Sequence, residues 1–166
     1  MAEKENLLKY FKREPKEGGD TNTLSYRRSG RENLEKLITA LVNSPRAAEI
    51  TITFRESYRK LYDDYEIVKL IEAYMKDSIE HFDDIEEILL VSEYGDNHQL
   101  HFHGVIIGRA RDLSQLLTYM KRRFGRTTIR MIKYPESYKK YLLKEQPNDD
   151  VSITYVTRST TIRLID

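Results

Sequence analysis

The sequence predicts an α+β protein with a ferredoxin-like, split βαβ fold, in which helices cover one face of an antiparallel sheet and the active site lies on the open face. Segments rich in β-branched residues alternate with segments whose apolar residues recur at helical spacing. The turn residues Gly95–His98 separate two of the strands and indicate a hairpin. These signals give the order β-α-β-β-α-β, followed by one more helix and one more strand.

The 166 residues fit one domain with an appendage. We expect an N-terminal helical extension over residues 1–45 and the main domain over residues 46–166. The extension begins with a short amphipathic stretch, Leu7–Phe11. Its second helix is indicated by Ser29 and Glu32, which resemble a capping box ahead of apolar residues at helical spacing.

Each element of the main domain has its own signal. Runs of Ile, Val and Thr favour strands, and apolar stripes with helical spacing favour helices. Gly125 marks the end of one helix, and Pro135 is well placed as the first residue of the next. In chain order we predict a strand at Ile50–Phe54, a helix around Ile67–Ile79, strands at Glu87–Tyr94 and Leu100–Gly108, a helix from Asp112 to Phe124, a strand at Thr127–Lys133, a helix at Pro135–Lys144 and a strand at Val151–Val156.

The net charge of +1 conceals an acidic segment, Glu56–Asp96, that is followed by a strongly basic one, Arg109–Lys144. A solvated charged face would explain such runs. The basic run also suits a polyphosphate partner, and the metal and tyrosine motifs nearby favour nucleic acid. The residues that we expect to contact it are Arg122, Arg123, Arg126, Arg130, Lys133 and Lys140.

Composition excludes several classes of protein and of site. No apolar stretch approaches the roughly 20 residues that span a bilayer, and Met1–Glu5 lacks the apolar core of a signal peptide. We therefore expect a soluble, intracellular protein with no membrane partner, in the nucleus or cytoplasm of its host. Because the chain has no cysteine, disulfides, thiolate zinc sites and cysteine nucleophiles are excluded, and a metal would be held by histidine and carboxylate.

His101 and His103 form the most informative motif of the chain. Side chains alternate along a strand, so the two imidazoles share a face while Phe102 points to the other. Counting back through the hairpin turn places Glu93 opposite His101 on the partner strand. Two nitrogens and one oxygen leave coordination positions open, which suits Mg²⁺ or Mn²⁺ in phosphate chemistry.

Other interpretations of the histidine pair are available. Partly exposed histidines are common on sheets, and cupin-type metal sites also use a His-X-His pattern. The cupin pattern needs a carboxylate a few residues downstream, where this chain has Ile106 and Ile107, so we disfavour it. Asp96 and His98 lie in the turn, where turn chemistry explains them better than metal ligation does.

Tyr138, Tyr141 and Lys144 fall on roughly one side of the last predicted helix. A tyrosine near a metal can attack a polarised phosphate, and the positive charge of a lysine lowers the barrier to this attack. Aromatic residues at helical spacing also pack in cores, which is the simpler interpretation. Because Leu142 and Leu143 already supply apolar faces, we expect the hydroxyl group of Tyr141 to be available for chemistry.

Three motifs of the chain, taken in order, resemble those of HUH endonucleases. The chain is most similar to the nuclease domains of rolling-circle replication initiator (Rep) proteins from small circular single-stranded DNA viruses and plasmids, whose third motif is Tyr-X-X-Lys. The resemblance covers residues 49–146. The residues that carry it are Thr51-Ile52-Thr53-Phe54, then Glu93 with His101-Phe102-His103, then Tyr141-Leu142-Leu143-Lys144-Glu145.

This resemblance implies a metal-dependent endonuclease that nicks and rejoins single-stranded DNA at a replication origin. The ligands of the divalent cation would be Glu93, His101 and His103. Tyr141 would be the nucleophile, forming a 5′-phosphotyrosine link and releasing a 3′-hydroxyl that primes synthesis. Lys144 would contact or position the DNA phosphate or the substrate at the metal site. Replication proteins of the host or virus would be further partners.

The chain departs from the family pattern in two ways, which concern the number of catalytic tyrosines and the presence of a helicase domain. Relatives with two catalytic tyrosines usually place three residues between them, whereas Tyr138 and Tyr141 have two, which favours a single nucleophile. We therefore prefer Tyr141 and keep Tyr138 as the candidate second tyrosine. No Gly-X-X-X-X-Gly-Lys-Ser/Thr motif occurs, so the ATP-driven helicase domain of many viral initiators is absent from this chain.

Two other functions fit the sequence. A single-tyrosine transposase of the same superfamily shares the fold and the motifs. A non-catalytic module that binds single-stranded nucleic acid would use the same sheet, but it would carry aromatic residues at the sheet centre, where this chain has Thr51, Thr53 and His101. No pattern in the sequence specifies the DNA recognition site or the oligomeric state.

Overall fold

The structure of the chain is a computed structural model that describes residues 12–13, 23–27, 31–94, 99–144, 153–157 and 161–165, with side chains over 35–94, 99–143 and 153–157. None of the described helices combines the length and the apolar composition that crossing a membrane requires. The strands are β1 (Lys12–Arg13), β2 (Thr23–Arg27), β3 (Ala47–Phe54), β4 (Ile85–Tyr94), β5 (Leu100–Gly108), β6 (Gly125–Met131), β7 (Ile153–Thr157) and β8 (Thr161–Ile165). The helices are α1 (Arg31–Val42), α2 (Glu56–Leu61), α3 (Asp64–His81), α4 (Ala110–Arg123) and α5 (Pro135–Lys144).

One sheet of eight strands organises the chain, in the order β1-β2-β8-β7-β4-β5-β3-β6. The neighbouring strands from β7 to β6 are antiparallel throughout. Within them, β4-β5-β3-β6 form a ferredoxin-like unit, in which α3 lies between β3 and β4 in the chain and α4 lies between β5 and β6. The predicted α+β, ferredoxin-like class is therefore confirmed.

The predicted elements occur close to their predicted bounds, and those of β5 and α5 are unchanged. β3 begins at Ala47 instead of Ile50, and β6 begins at Gly125 instead of Thr127. The early start of β6 depends on Gly125, whose φ of 119° turns the chain directly from α4 into the strand. A Cβ atom at this position would also lie 2.6 Å from Arg55 Cγ, so a larger residue would force Arg55 to shift.

The N-terminal extension contains the predicted second helix, α1, and two strands that the sequence did not indicate. β2 pairs in parallel with β8, and β1 pairs with β2, so the extension widens the sheet beside β8. Because β2 finds its partner at the far end of the chain, local sequence patterns do not reveal it. The predicted stretch Leu7–Phe11 and the capping residue Ser29 lie outside the described residues.

Helices α3 and α4 pack on one face of the sheet, as predicted. The ring of Phe102 is buried there, with its centroid 5.7 Å from that of Phe54. Phe54 contacts Phe124 edge-on at 5.1 Å, so aromatic rings from two central strands meet beneath the helices. Phe102 therefore points into the core, as the alternation along β5 predicts.

Helices α1 and α5 also pack on the second face, so among the described residues this face is accessible at one end of the central strands and along β6. α1 and α5 bury their apolar stripes against this face because its middle is itself apolar, and covering it removes that area from water. At the end of the sheet, Thr53, Glu93 and His101 stay partly exposed. The covered strand residues are Ala47, Leu89, Val91, Val105, Ile107, Ile153 and Tyr155.

Candidate active site

A row of polar side chains crosses four strands at the accessible end of the second face. The register pairs Glu93 with His101, His101 with Thr53, and Thr53 with Arg126. Residues directly opposite each other in a sheet point to the same side, with about 5 Å between neighbouring strands. The pairing of Glu93 with His101 is the one that counting through the hairpin predicts. The turn itself, with Asp96 and His98, lies outside the described residues.

Glu93, His101 and His103 form a cluster of donor atoms that could hold a metal ion. Glu93 Oε1 lies 3.5 Å from His101 Nε2, and Glu93 Oε2 lies 3.5 Å from His103 Nε2. The three ligand atoms all lie within 4.8 Å of one another. Two donors about 2.1 Å from a cation and at a right or tetrahedral angle are about 3.0–3.4 Å apart, so small rotations suffice for ligation. The donor set therefore fits a divalent cation.

Hydrogen bonds hold both imidazoles in the orientation that ligation needs. His101 Nδ1 lies 3.3 Å from the carbonyl oxygen of Gln99, and His103 Nδ1 lies 3.3 Å from Thr51 Oγ1. A neutral His101 that donates from Nδ1 leaves the Nε2 lone pair directed towards Glu93. Partners of this kind fix the ring orientation before a metal binds.

The hydroxyl group of Tyr141 reaches the same cluster from α5. Tyr141 Oη lies 3.0 Å from His103 Nε2, and the two rings are nearly perpendicular, with centroids 5.1 Å apart. The side chains of Leu142 and Leu143, on α5, are buried against the sheet. This packing holds the helix on the second face with Tyr141 directed at β5. The structure thus brings Tyr141 together with the candidate metal ligands. Lys144 ends α5, and its side chain lies outside the described residues.

Tyr138 is engaged differently from Tyr141. Its hydroxyl donates a hydrogen bond of 2.6 Å to the carbonyl oxygen of Gly104, and its ring stacks on that of Tyr141 at 6.0 Å. Burial raises the pKa of the Tyr138 hydroxyl, and the nearby Glu49 and Tyr141 raise it further. Tyr138 therefore anchors α5 to the strand that carries the histidines.

Gly104 permits the close packing of strands beside the site. A Cβ atom at this position would lie 1.8 Å from the carbonyl oxygen of Leu89 on β4, which excludes any side chain. The tight approach of β4 and β5 keeps Glu93 within reach of the histidines, and the carbonyl of Gly104 is also the anchor of Tyr138. Sequence reasoning did not single out this glycine, although a glycine inside a strand, directly after His103, indicates a close approach of a neighbouring backbone.

The basic residues that we expected at the DNA surface fall into two groups. Arg126 and Arg130 lie on β6 at positions that share the face of the metal cluster, and Lys133 follows the strand. Arg122 and Arg123 lie in the last turn of α4, the helix that packs on the opposite face. That turn precedes the first residue of β6, so it lies at the same end of the sheet as the cluster.

Two basic residues have partners of their own. Arg130 Nη2 lies 3.1 Å from Glu49 Oε1 in an ion pair. The guanidinium of Arg123 lies 5.6 Å from the ring centre of Tyr74, a residue of the opposite face.

Lys140 is exposed on α5. Sequence reasoning missed Glu49, although it alternates with Thr51 and Thr53 along β3, a pattern that places all three on the second face, which carries the metal cluster and is called the site face below.

Comparisons with known proteins give no family. No protein-family model and no curated protein matches the chain. Among solved structures, the chain is similar to a phage SAM lyase in complex with S-methyl-5′-thioadenosine, with 12% sequence identity, 69% of this chain and 82% of that chain covered, and a TM-score of 0.22. A TM-score this low carries no argument about fold or function.

Proposed function

We propose that this protein is a metal-dependent endonuclease of the HUH type, which nicks and rejoins single-stranded DNA to initiate rolling-circle replication. One observation carries the proposal: a tyrosine hydroxyl meets a cluster of two imidazoles and a carboxylate. Tyr141 Oη lies 3.0 Å from His103 Nε2, which in turn lies 3.5 Å from Glu93 Oε2. A nucleophile and a cation site that share one ligand residue can act on the same phosphate.

The positions of the three sequence motifs support the same proposal. The first motif lies on β3 and the histidines lie on its neighbour β5, while Tyr141 of the third motif lies on α5 and its hydroxyl reaches His103. Motifs separated in sequence therefore surround one small volume. A sheet used only for binding would not need a phenol directed at an imidazole nitrogen.

The donor set is suited to Mn²⁺ or Mg²⁺. The ligands would be Glu93, His101 and His103, which leave coordination positions for water and a phosphate oxygen. When bound, such a cation would polarise the scissile phosphate and offset charge that develops on it. Imidazole nitrogens favour Mn²⁺ over Mg²⁺, because Mg²⁺ prefers oxygen ligands.

Tyr141 would carry out the transesterification. Its Oη attacks the phosphorus atom, the bond from phosphorus to the 3′-oxygen breaks, and a 5′-phosphotyrosine forms. The phenol loses one proton and the leaving 3′-oxygen gains one, so atoms and charges balance. Because one phosphoester replaces another, a later 3′-hydroxyl can reverse the reaction and join two strands without ATP. Tyr138 would hold α5 in place for both steps.

The partner would be single-stranded origin DNA, bound by positive charge along β6 and around the end of the sheet that carries the histidines. Arg126 and Arg130 project from β6 on the site face, and Lys133 follows them. Arg122 and Arg123 would extend the positive surface around the edge, and Lys140 and Lys144 would do so along α5. Contacts of these side chains with phosphates would be sequence-independent and would weaken as salt rises.

The test is to incubate the protein with a panel of single-stranded oligonucleotides and Mn²⁺ and to look for an adduct that survives SDS. We expect an adduct with the wild type, none with Tyr141→Phe, and none in the presence of a chelator. Tyr138→Phe is the matched control and should still form it. Loss of the adduct in Tyr138→Phe with retention in Tyr141→Phe would refute the assigned nucleophile, and no adduct with any divalent metal would refute the activity.

A further inference from the structure

A groove opens beside Tyr141, between α5 and the end of β6. Its volume is about 380 Å³, within the range of roughly 300–1,000 Å³ that is typical of sites for small molecules. Tyr138 and Tyr141 line it with rings that stack 6.0 Å apart. The groove is therefore continuous with the candidate nucleophile.

An exposed aromatic side chain lines the same groove. Tyr134 directly precedes α5 and is 74% exposed, so it contributes little to the core and its ring is available for stacking. Every nucleobase has a π face, and stacking on an aromatic side chain strengthens single-strand binding by roughly 5- to 150-fold per base. This feature suits an unpaired base.

Glu49 and Arg130 bring a carboxylate and a guanidinium into the groove as a pair. Glu49 Oε1 lies 3.1 Å from Arg130 Nη2, and their side chains are 29% and 75% exposed. An isolated carboxylate would repel a polyanion, but the adjacent guanidinium offsets its charge. The pair presents hydrogen-bond acceptors and donors side by side, which is the arrangement that the edge of a base can read.

We propose that this groove binds one unpaired guanine of the DNA strand, next to the scissile phosphate. The proposal rests on the proposed function, since it sets that nucleotide beside Tyr141. Glu49 accepts hydrogen bonds from guanine N1–H and N2–H, and Arg130 donates to O6. Tyr134 stacks on the base, and Lys133, which also lines the groove, contacts a neighbouring phosphate.

Guanine is the base whose unpaired edge fits this pair of side chains. It offers two adjacent N–H donors, which one carboxylate accepts together, and an acceptor oxygen directly beside them. Thymine has a single N–H between two carbonyl groups, so one carbonyl would face the carboxylate of Glu49. Adenine and cytosine offer the carboxylate only an amino group. The groove should therefore select guanine at one position.

The test is a binding selection from a single-stranded DNA library with randomised bases, without divalent metal, followed by fluorescence-anisotropy titrations of the enriched oligonucleotides. We expect the wild type to enrich strands that share one guanine, and replacing that guanine by thymine to weaken binding at least about tenfold. Glu49→Gln should lose this preference. Tyr134→Ala should weaken binding to all strands, while Tyr119→Ala, an exposed tyrosine on α4, should bind as the wild type does.

The two proposals fail in different ways. Enrichment without a shared guanine, no enrichment at all, or a guanine preference that Glu49→Gln retains would overturn the groove assignment. The enriched strands are then incubated with Mn²⁺ and assayed for the SDS-resistant adduct. A guanine preference that depends on Glu49, without any adduct, would leave the groove assignment intact and contradict the nuclease.

Discussion

The two faces of the central strands differ sharply at the end of the sheet where the histidines lie. On the α3 and α4 face, Phe54 and Phe102 are buried in an aromatic cluster. On the other face of the same strands, Thr53 and His101 are partly exposed in a polar row that ends at Glu93. One face therefore buries large aromatic side chains, whereas the other keeps small or polar side chains in partial contact with solvent. Because these polar side chains bury little apolar area, the proposed function predicts that replacing them changes metal binding or cleavage more than it changes stability.

The largest effect should follow from damage to the apolar face. Phe102→Ala leaves a cavity beneath the helices and should lower the free energy of unfolding by about 3–5 kcal/mol. His101→Ala, one residue away but on the polar face, is the control and should change it by about 1 kcal/mol or less. Urea denaturation measures both. Equal destabilisation by the two variants would show that the histidine is a structural residue.

A smaller effect should follow on the polar face when a metal ligand loses its hydrogen-bond partner. Thr51→Val removes the hydroxyl beside His103 Nδ1 while keeping the shape of the side chain. Loss of such a partner should weaken Mn²⁺ binding by roughly 10- to 100-fold, as measured by calorimetry. Thr128→Val, a neighbour of Thr51 on β6, is exposed and serves as the control. Unchanged Mn²⁺ affinity in Thr51→Val would contradict the assigned ligand.

The two stacked tyrosines give a comparison within the site. Tyr138→Phe leaves the carbonyl of Gly104 without its partner and should lower the free energy of unfolding by about 1–2 kcal/mol, with adduct formation retained. Tyr141→Phe should abolish the adduct and change stability less. Thermal and chemical denaturation beside the adduct assay separate the two roles. The reverse pattern would mean that Tyr138 is the nucleophile and Tyr141 the anchor.

The smallest effect should appear at high pH, on the covered part of the site face. Burial, and then Glu87, raises the pKa of Tyr155 above its ordinary value near 10. The folded protein thus keeps the phenol proton longer than the unfolded chain, so this contribution to stability is complete below about pH 10 and is lost above it. Tyr155→Phe should show a shallower loss of stability above pH 10 than the wild type. Parallel curves would refute this coupling.

Much of the site could be predicted from the sequence because its signals are local. Alternation along β5 separates the histidines from Phe102, turn length sets Glu93 against His101, and helical spacing orients Tyr141. The rest depends on contacts between distant segments. The cover of α1 over the second face, the pairing of β2 with β8 and the groove beside Glu49 all arise when the sheet assembles, and no local pattern encodes them.

The most direct test of the central claim is to locate the covalent link within the adduct by mass spectrometry. Trypsin cleaves after Lys139 and Lys140, so Tyr138 and Tyr141 fall in different peptides. The adduct is formed with Mn²⁺ and single-stranded DNA, the DNA is digested, and the phosphorylated peptide is identified. We expect the phosphonucleotide on Tyr141, in the peptide that ends at Lys144. A link on Tyr138, or no linked peptide with any strand, would contradict the account.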